Sequence, residues 1–258
     1  PSICVMPFDD SSTVMGDGLT DDIITRLAKL RALFVIARGS VYSLRERNVP
    51  PAEAAQLLGV NYVASGSLRR QGARVTVSVE LVEAATARIM WADDFTASVD
   101  EMPAMQDEIV NRVVASIAEE IETTERNRAV LRPPDSLNAW EAYHRGLWHM
   151  YRFNEIDNER AAHFFQEALR QDRRFARAHA GLSFTHFQNA FLHRPAERGV
   201  EIERAFETAG ESLVADDRDP AAHLAMGRAL WLRGACEESV RELEACVTLS
   251  PNFVLGHY

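Results

Sequence analysis

The sequence is short of most of what catalysis and membrane insertion require. Of its 258 residues only 3 are cysteines, Cys4, Cys236 and Cys246. They form no CxxC and have no histidine at ligand spacing, so they read as reduced, buried thiols of a cytoplasmic protein, not as a disulfide framework or a zinc site. No apolar run approaches the roughly 18 residues needed to cross a bilayer. The opening Pro1-Ser2-Ile3-Cys4-Val5 lacks the charged region and cleavage site of a signal peptide. A soluble chain is expected. No GxxxxGK[ST] occurs, and Gly66 has no phosphate-loop context. Positive charge is scarce too: 28 basic residues face 38 acidic ones, and the formal net charge of -10 repels a nucleic-acid backbone. Arg126, Arg128 and Arg132 are the one basic concentration, and a solvated helix end accounts for them. Nothing places a base beside a nucleophile, so no catalytic residue, no metal and no cofactor is expected.

What is present describes two domains. Hydrophobic residues make up 47% and charged residues 26% of the chain, an ordinary globular balance. The chain lacks an initiator Met, and Val254 to Tyr258 read as the start of a helix, so both ends are expected to be cuts in a longer protein. Arg132-Pro133-Pro134-Asp135 stops one helix, and an Asp-Ser pair can cap the next, which divides the chain into 1–132 and 133–258. In the first part, Ile3 to Phe8 is a buried-strand run, followed by a helix from about Leu19 with Ile23, Ile24, Leu27 and Leu30 on one face. Leu33 to Ala37 reads as a second buried strand, parallel to the first. Helical stretches follow at Ser40 to Arg47 and at Pro51 to Leu58, the latter closed by Gly59. Three tightly connected strands come next, Asn61 to Arg70, Arg74 to Val82 and Arg88 to Phe95. In the middle one Val75, Val77, Val79 and Leu81 alternate with polar residues. Pro103 then opens a long helix whose stripe runs through Met105, Ile109, Val113, Ile117 and Ile121 and is expected to cover the sheet. The fold class is α/β or α+β, with a mixed sheet of about five strands, followed by an all-α part.

The second part repeats. From Gly227, residues Leu230, Gly234, Ser239, Leu243, Cys246 and Pro251 fall at offsets 3, 7, 12, 16, 19 and 24, those of the 34-residue tetratricopeptide pattern. Small side chains at Gly227, Ser239 and Cys246 let two helices cross closely. An earlier copy has Ala161, Phe165 and Ala168, with Gly146 displaced by three residues. A middle copy has Leu182, Ser183 and His186, a loop from His193 to Gly199, then Ala205, Ala209 and Leu213. About three repeats are expected, truncated at the C-terminus.

Six words occur in order in the first part: Val5-Met6-Pro7-Phe8, Asp17-Gly18-Leu19-Thr20-Asp21-Asp22-Ile23-Ile24, Val35-Ile36-Ala37-Arg38, Leu58-Gly59-Val60-Asn61-Tyr62-Val63, Gly66-Ser67-Leu68-Arg69 and Met90-Trp91-Ala92. Together they resemble the TolB-N-terminal-like domain that precedes tetratricopeptide repeats in the C-terminal halves of bacterial class III adenylate cyclases and winged-helix transcriptional regulators. The resemblance implies a tetratricopeptide superhelix after an α/β domain. It also implies a non-catalytic regulatory region whose output domain, a cyclase or a DNA-binding winged helix, lies on the N-terminal side. It further implies that the first helix of each repeat lines a concave groove. Transferred to this chain, the groove residues are Trp140, Tyr143, Leu147, Met150 and Tyr151, then Arg177, Phe184, Phe187 and Gln188, then Leu224, Arg228, Trp231 and Leu232. That set is rich in the aromatics and arginine that dominate binding hot spots. The expected partner is a protein or peptide, with self-association as a dimer through Val254, Leu255 and Tyr258; no nucleic acid or membrane is expected. The competing expectation is that the long helix or the linker fills the groove as internal core.

Three other clusters carry site-forming residue types. Arg38, Ser40, Ser67 and Arg69 lie near strand ends and could hold an anion, which would make the α/β part a small-molecule sensor; Gly39-Ser40 also reads as a plain helix start. Asp9, Asp10, Asp17, Asp21 and Asp22 could suggest a divalent cation, but Asp9 and Asp10 read as solvating a turn and Asp21 and Asp22 as sitting in a helix's first turn. His179 and His186 occupy positions normally aromatic and read as partly buried packing, and His144 and His149 do not share a helix face.

Overall fold

The computed structural model describes residues 1–10, 14–192 and 195–253. They divide into two compact units between Glu120 and Ile121. The division lies inside a helix, not at Pro133-Pro134, because the end of that helix is tied to the next one.

The first unit is a six-stranded mixed sheet with helices. Its strands are β1 (Ser2–Val5), β2 (Asp9–Asp10), β3 (Phe34–Val35), β4 (Tyr62–Gln71), β5 (Arg74–Glu83) and β6 (Arg88–Ser98), in the order β3-β1-β4-β5-β6 with β2 also on β4. β1 runs parallel to both its neighbours and is flanked on each side, so Ile3, Cys4 and Val5 are wholly buried. β4, β5 and β6 form an antiparallel meander in which Val75, Val77, Val79 and Leu81 are buried, as their alternation requires. The sequence led to five strands; the sixth, β2, is Asp9 and Asp10 pairing with Ser67 and Leu68, where a solvated turn was expected. β3 is shorter than expected and lies at the sheet's edge, which leaves Phe34 exposed.

Helix α1 (Val14–Lys29) starts earlier than Leu19, so Asp21 and Asp22 lie in its interior and Asp17 is the acid of its first turn. Leu19, Ile23 and Leu27 are its buried stripe. Next come α2 (Arg38–Glu46), which begins at Arg38 and not at Ser40, and α3 (Pro51–Leu58), closed by Gly59 at φ 63°. α4 (Met102–Leu131) buries Ile109, Val113 and Ile117 and lies against α1 and β6. Gln106 donates to Asp22 at 2.9 Å, Arg26 pairs with Asp107, and Arg112 donates to Asp93 at 3.0 Å.

The second unit begins with the last turns of α4. Arg145 Nη1 donates to the Ala129 and Arg132 carbonyls at 3.1 and 2.8 Å, and Trp140 Nε1 donates to Glu125 at 3.0 Å. Six further helices form three hairpins: α5 (Ala139–Met150) with α6 (Glu155–Gln171), α7 (Ala176–Leu192) with α8 (Pro195–Ala215), and α9 (Pro220–Leu232) with α10 (Cys236–Leu249). The cap of α5 is Asn138, not the Asp-Ser pair: its side chain accepts from Glu141 N while Glu141 accepts from Asn138 N, a capping box. α8 begins at Pro195, so most of the expected loop from His193 to Gly199 is helix; His193 and Arg194 lie outside the described residues. The hairpins close where small residues were read. Leu243 of α10 lies over Gly227, and Ser239 Oγ donates to the Gly227 carbonyl at 2.7 Å. Ser183 Oγ donates to the Ala205 carbonyl at 2.7 Å in the middle hairpin. The first helices α5, α7 and α9 also pack side by side.

Cys4 and Cys246 are buried, and burial pushes their thiols up to about 12 and about 11. Cys236 is exposed at the start of α10, where burial was expected. Among the described residues no helix is long and apolar enough to cross a membrane.

Candidate functional site

The first helices of the hairpins bring most of the expected groove residues to one place. A hollow of about 70 Å³ is lined by Tyr143, Leu147, Met150 and Tyr151 of the first hairpin, Arg177, Phe184 and Phe187 of the second, Leu224 and Arg228 of the third, and Glu122 and Phe253 at its rim. The helical period explains the convergence. Arg177, Phe184 and Phe187 recur along one side of α7, as Leu224, Arg228 and Trp231 do along α9.

The set separates into an internal part and an open part. Tyr143, Leu147, Met150 and Leu224 are buried. Trp140 is held by its hydrogen bond to Glu125 and by rings, with Tyr143 5.9 Å and Phe175 6.1 Å away. The end of α4 thus packs on Trp140, whereas Tyr151 of the same hairpin is 47% exposed. Gln188 is not a groove residue: it is 0% exposed and donates from Nε2 to the Met150 carbonyl at 2.9 Å. Leu232 packs with the alanines and Met226 between α8 and α9. On α7 and α9 the aromatics run from partly buried Phe184 and Phe187 to exposed Phe191 and Trp231. Phe184 and Phe187 stack at 5.3 Å and 11°, Phe187 meets Phe191 at 5.2 Å, and Phe191 stacks on Trp231 at 6.3 Å and 19°. Phe191 and Trp231 are 48% and 53% exposed. Phe191, missed in the sequence, lies one turn beyond Phe187 on the same face, so its spacing was the available signal.

Charge in the hollow is arranged unevenly. Arg177 is clamped by Asp219, Nε to Oδ2 at 2.8 Å and Nη2 to Oδ1 at 3.3 Å. Burial pulls the Arg177 guanidinium down, but Asp219 and its other neighbours raise it above its ordinary range. Asp219 itself caps α9, accepting from Ala221 N at 2.9 Å. At the rim, Glu122 pairs with Arg126 at 3.1 Å, and Arg126 lies 5.1 Å from the Tyr151 ring centroid. Burial holds Arg228 below the usual arginine range; its guanidinium lies 4.5 Å from the Phe184 ring centroid.

His144 sits beside this site with both ring nitrogens buried and without a partner, packed edge-on against Trp140 at 4.4 Å. Burial, with Arg126 and Arg177 nearby, lowers its pKa from 6.5 to about 3. Between those values the unfolded chain binds a proton that the folded one refuses, so stability is complete above about pH 6.5 and falls as pH drops below it. The slope approaches ~1.4 kcal/mol per pH unit. Urea unfolding at pH 7 and pH 5 should therefore differ by about 2 kcal/mol, and His144→Phe should remove most of that difference. His149, also lowered by burial although Asp157 opposes the shift, supplies a residual slope of the same sign. An unchanged slope in His144→Phe would show that the ring is protonated in the folded state.

The other candidate clusters are engaged. Arg38 pairs with Asp21 at 2.5 Å and Arg45 with Asp17 at 2.5 Å, while Asp10 accepts from Gly16 N at 3.2 Å. Ser67 and Arg69 lie on the open face of the sheet with Asp9, Glu80, Asp93 and Asp94, in a wide hollow that Arg38 and Ser40 do not line. The four expected anion residues are therefore not brought together, and the acids around Ser67 and Arg69 oppose an anion. His186 Nδ1 lies 2.7 Å from Glu201, and His179 Nε2 3.1 Å from the Arg173 carbonyl oxygen. Among the described residues no three His, Cys, Asp or Glu side chains are grouped to hold a metal. Val254, Leu255 and Tyr258 lie outside the described residues.

Similarity to known proteins falls in two classes. Residues 1–112 match the family model described as HilA/YgeH-like transcriptional regulator, second domain. A protein of Rhizobium meliloti (strain 1021) named "Putative adenylate cyclase 3" is 28% identical over 239 residues, which are 90% of this chain and 41% of that protein. The chain thus spans about two-fifths of that relative's length. Among solved structures, TolB from Acinetobacter baumannii is 16% identical at a TM-score of 0.36, covering 47% of this chain and 28% of that one. Lipoprotein GNA1162 from Neisseria meningitidis is 15% identical at 0.34, covering 43% and 95%. A regulatory-domain family and a cyclase-named relative are compatible with a signalling or regulatory role.

Proposed function

We propose that this chain is a non-catalytic regulatory region of a longer signalling protein, and that its hairpins form a tetratricopeptide stack that binds a protein or peptide on the face of α7 and α9. The observation that carries this reading is the open aromatic surface of Phe187, Phe191 and Trp231. Soluble surfaces seldom gather large rings without a binding role, and clustered aromatics with arginine are what interfaces use as anchors. The Gly227–Leu243 and Gly146–Phe165 crossings and the side-by-side first helices support the tetratricopeptide assignment. The names of the relatives support a signalling context, with the output activity in a part of the protein beyond this chain.

A phage-displayed random peptide library panned against the chain should enrich binders, and Phe187→Ala with Trp231→Ala should lose them. Because these rings are half-exposed or open, the double variant should cost only about 1–2 kcal/mol, short of the 3–5 kcal/mol typical of a fully buried phenylalanine. If nothing enriches, or if the selected peptides bind the double variant equally well, the binding reading fails. The purified chain is also expected to neither cyclise nor hydrolyse ATP; turnover that survives repurification would overturn the non-catalytic reading.

A further inference from the structure

Arg228 differs from Arg177, which also lines the hollow, and from Arg126, which pairs with the lining residue Glu122. Arg177 is clamped by Asp219 and Arg126 by Glu122, whereas no carboxylate among the described residues lies within ion-pair distance of Arg228. The chain has 38 acidic residues against 28 basic ones, so carboxylates are not in short supply. A partly buried guanidinium has given up hydration, and a carboxylate brought to it returns much of that loss through charge-assisted hydrogen bonds. The Phe184 ring beneath it fixes the guanidinium without consuming its N–H donors. Phe184 also begins the aromatic series that continues through Phe187 and Phe191 to the exposed Trp231. A fixed cation and an open apolar platform thus lie along one path over α7 and α9.

We infer that this path takes a peptide segment of a partner protein in which a single side-chain carboxylate meets Arg228 and an adjacent aliphatic or aromatic side chain rests on Phe187, Phe191 and Trp231. The inference rests on the reading of the helical unit as a peptide-binding module and names the chemistry of its partner. A polyacidic segment fits less well: the chain's net charge is -10, so charges beyond the one that Arg228 neutralises are repelled. An apolar segment without a carboxylate leaves the guanidinium desolvated and unpaired.

The test uses three fluorescein-labelled nine-residue peptides in a Gly/Ser background and measures their binding to the whole chain by anisotropy. The first carries a central Glu flanked by Leu and Phe, the second has Gln in place of Glu, and the third keeps Glu but has Ala for Leu and Phe. The Glu peptide should bind about tenfold more tightly than its Gln twin, the margin of one good charge-assisted contact. The Ala peptide should bind more weakly than the Glu peptide by a similar factor. Arg228→Gln should bring the Glu peptide down to no better than the Gln twin, without weakening the twin. Equal binding of the Glu and Gln peptides to the unaltered chain overturns the carboxylate assignment while leaving the peptide-binding reading standing, and this comparison needs no variant to fold. A Glu preference that survives in Arg228→Gln overturns the role of Arg228. Absence of binding by both the Glu and the Gln peptide overturns the inference, and, if library panning also enriches nothing, the reading on which it rests.

Discussion

Replacing Asp219 by alanine should destabilise the helical unit by about 3–5 kcal/mol, the cost typical of breaking a buried ion pair from one side. The side chains of Arg177 and Asp219 are 11% and 6% exposed, and their two contacts are parallel, so each is the other's replacement for water. Without the carboxylate, Arg177 loses its paired contact and keeps its charge beside Tyr143 and Glu122. The substitution also strips α9 of its cap, since the same carboxylate accepts from Ala221 N, which adds about 1 kcal/mol. Asp219→Asn retains an acceptor for that N–H, and Arg177→Met with Asp219→Asn removes the stranded charge as well. The double variant should therefore be more stable than Asp219→Ala alone, because well-packed neutral groups commonly replace a buried pair at little cost. Trp140, Trp148 and Trp231 are three of the four tryptophans and all lie in the helical unit, so urea unfolding followed by tryptophan fluorescence reports chiefly on it. A loss below 1 kcal/mol for Asp219→Ala would mean that the pair is effectively solvated.

The hairpins were legible because their crossings demand small residues at fixed offsets, and Gly227, Ser239 and Cys246 supply them. The face of α7 and α9 came from the resemblance instead: its groove positions fall on Phe184, Phe187, Arg228 and Trp231, whose rings and guanidinium lie close together here. The sequence did not reveal what happens at the first hairpin. The apolar stripe of α4 ends near Ile121, and the polar stretch after it gives no sign of packing. Yet the helix runs to Leu131 and engages α5 through polar contacts, Glu125 with Trp140 and the Ala129 carbonyl with Arg145. Contacts of that kind leave no hydrophobic period to read. Gln188 misled for a related reason: its repeat position puts it in the groove, whereas its burial is sustained by one long-range bond to the Met150 carbonyl. The four anion candidates share only a position near strand ends, and alternation along β4 places Ser67 and Arg69 on the open sheet face while Arg38 turns to Asp21. Asp219 carried a signal that was not used, since Asp before Pro220 is the ordinary start of a helix.

Phe165→Ala should cost about 3–5 kcal/mol, and the reason lies in two glycines. The ring is wholly buried on α6, and it is received by Gly146 of α5 and Gly181 of α7. A Cβ on Gly146 would come within 2.6 Å of the ring and one on Gly181 within 2.7 Å, so both faces of the contact are made by absent side chains. The ring therefore sets the separation of α5 and α7, and with it the walls of the hollow, which Gly181 and Leu147 help to line. Gly146→Ala and Gly181→Ala should each destabilise by about 1–3 kcal/mol through overpacking, more than their gain in helix propensity of about 1 kcal/mol offsets. The decisive measurement is a double-mutant cycle. In a Phe165→Leu background the ring edges that the new methyl groups would strike are gone, so Gly181→Ala should become neutral or stabilising, with a coupling energy of about 1–3 kcal/mol. If Gly181→Ala costs the same with phenylalanine and with leucine at 165, the glycine is required by something other than the ring, and the hollow's width is not set by Phe165.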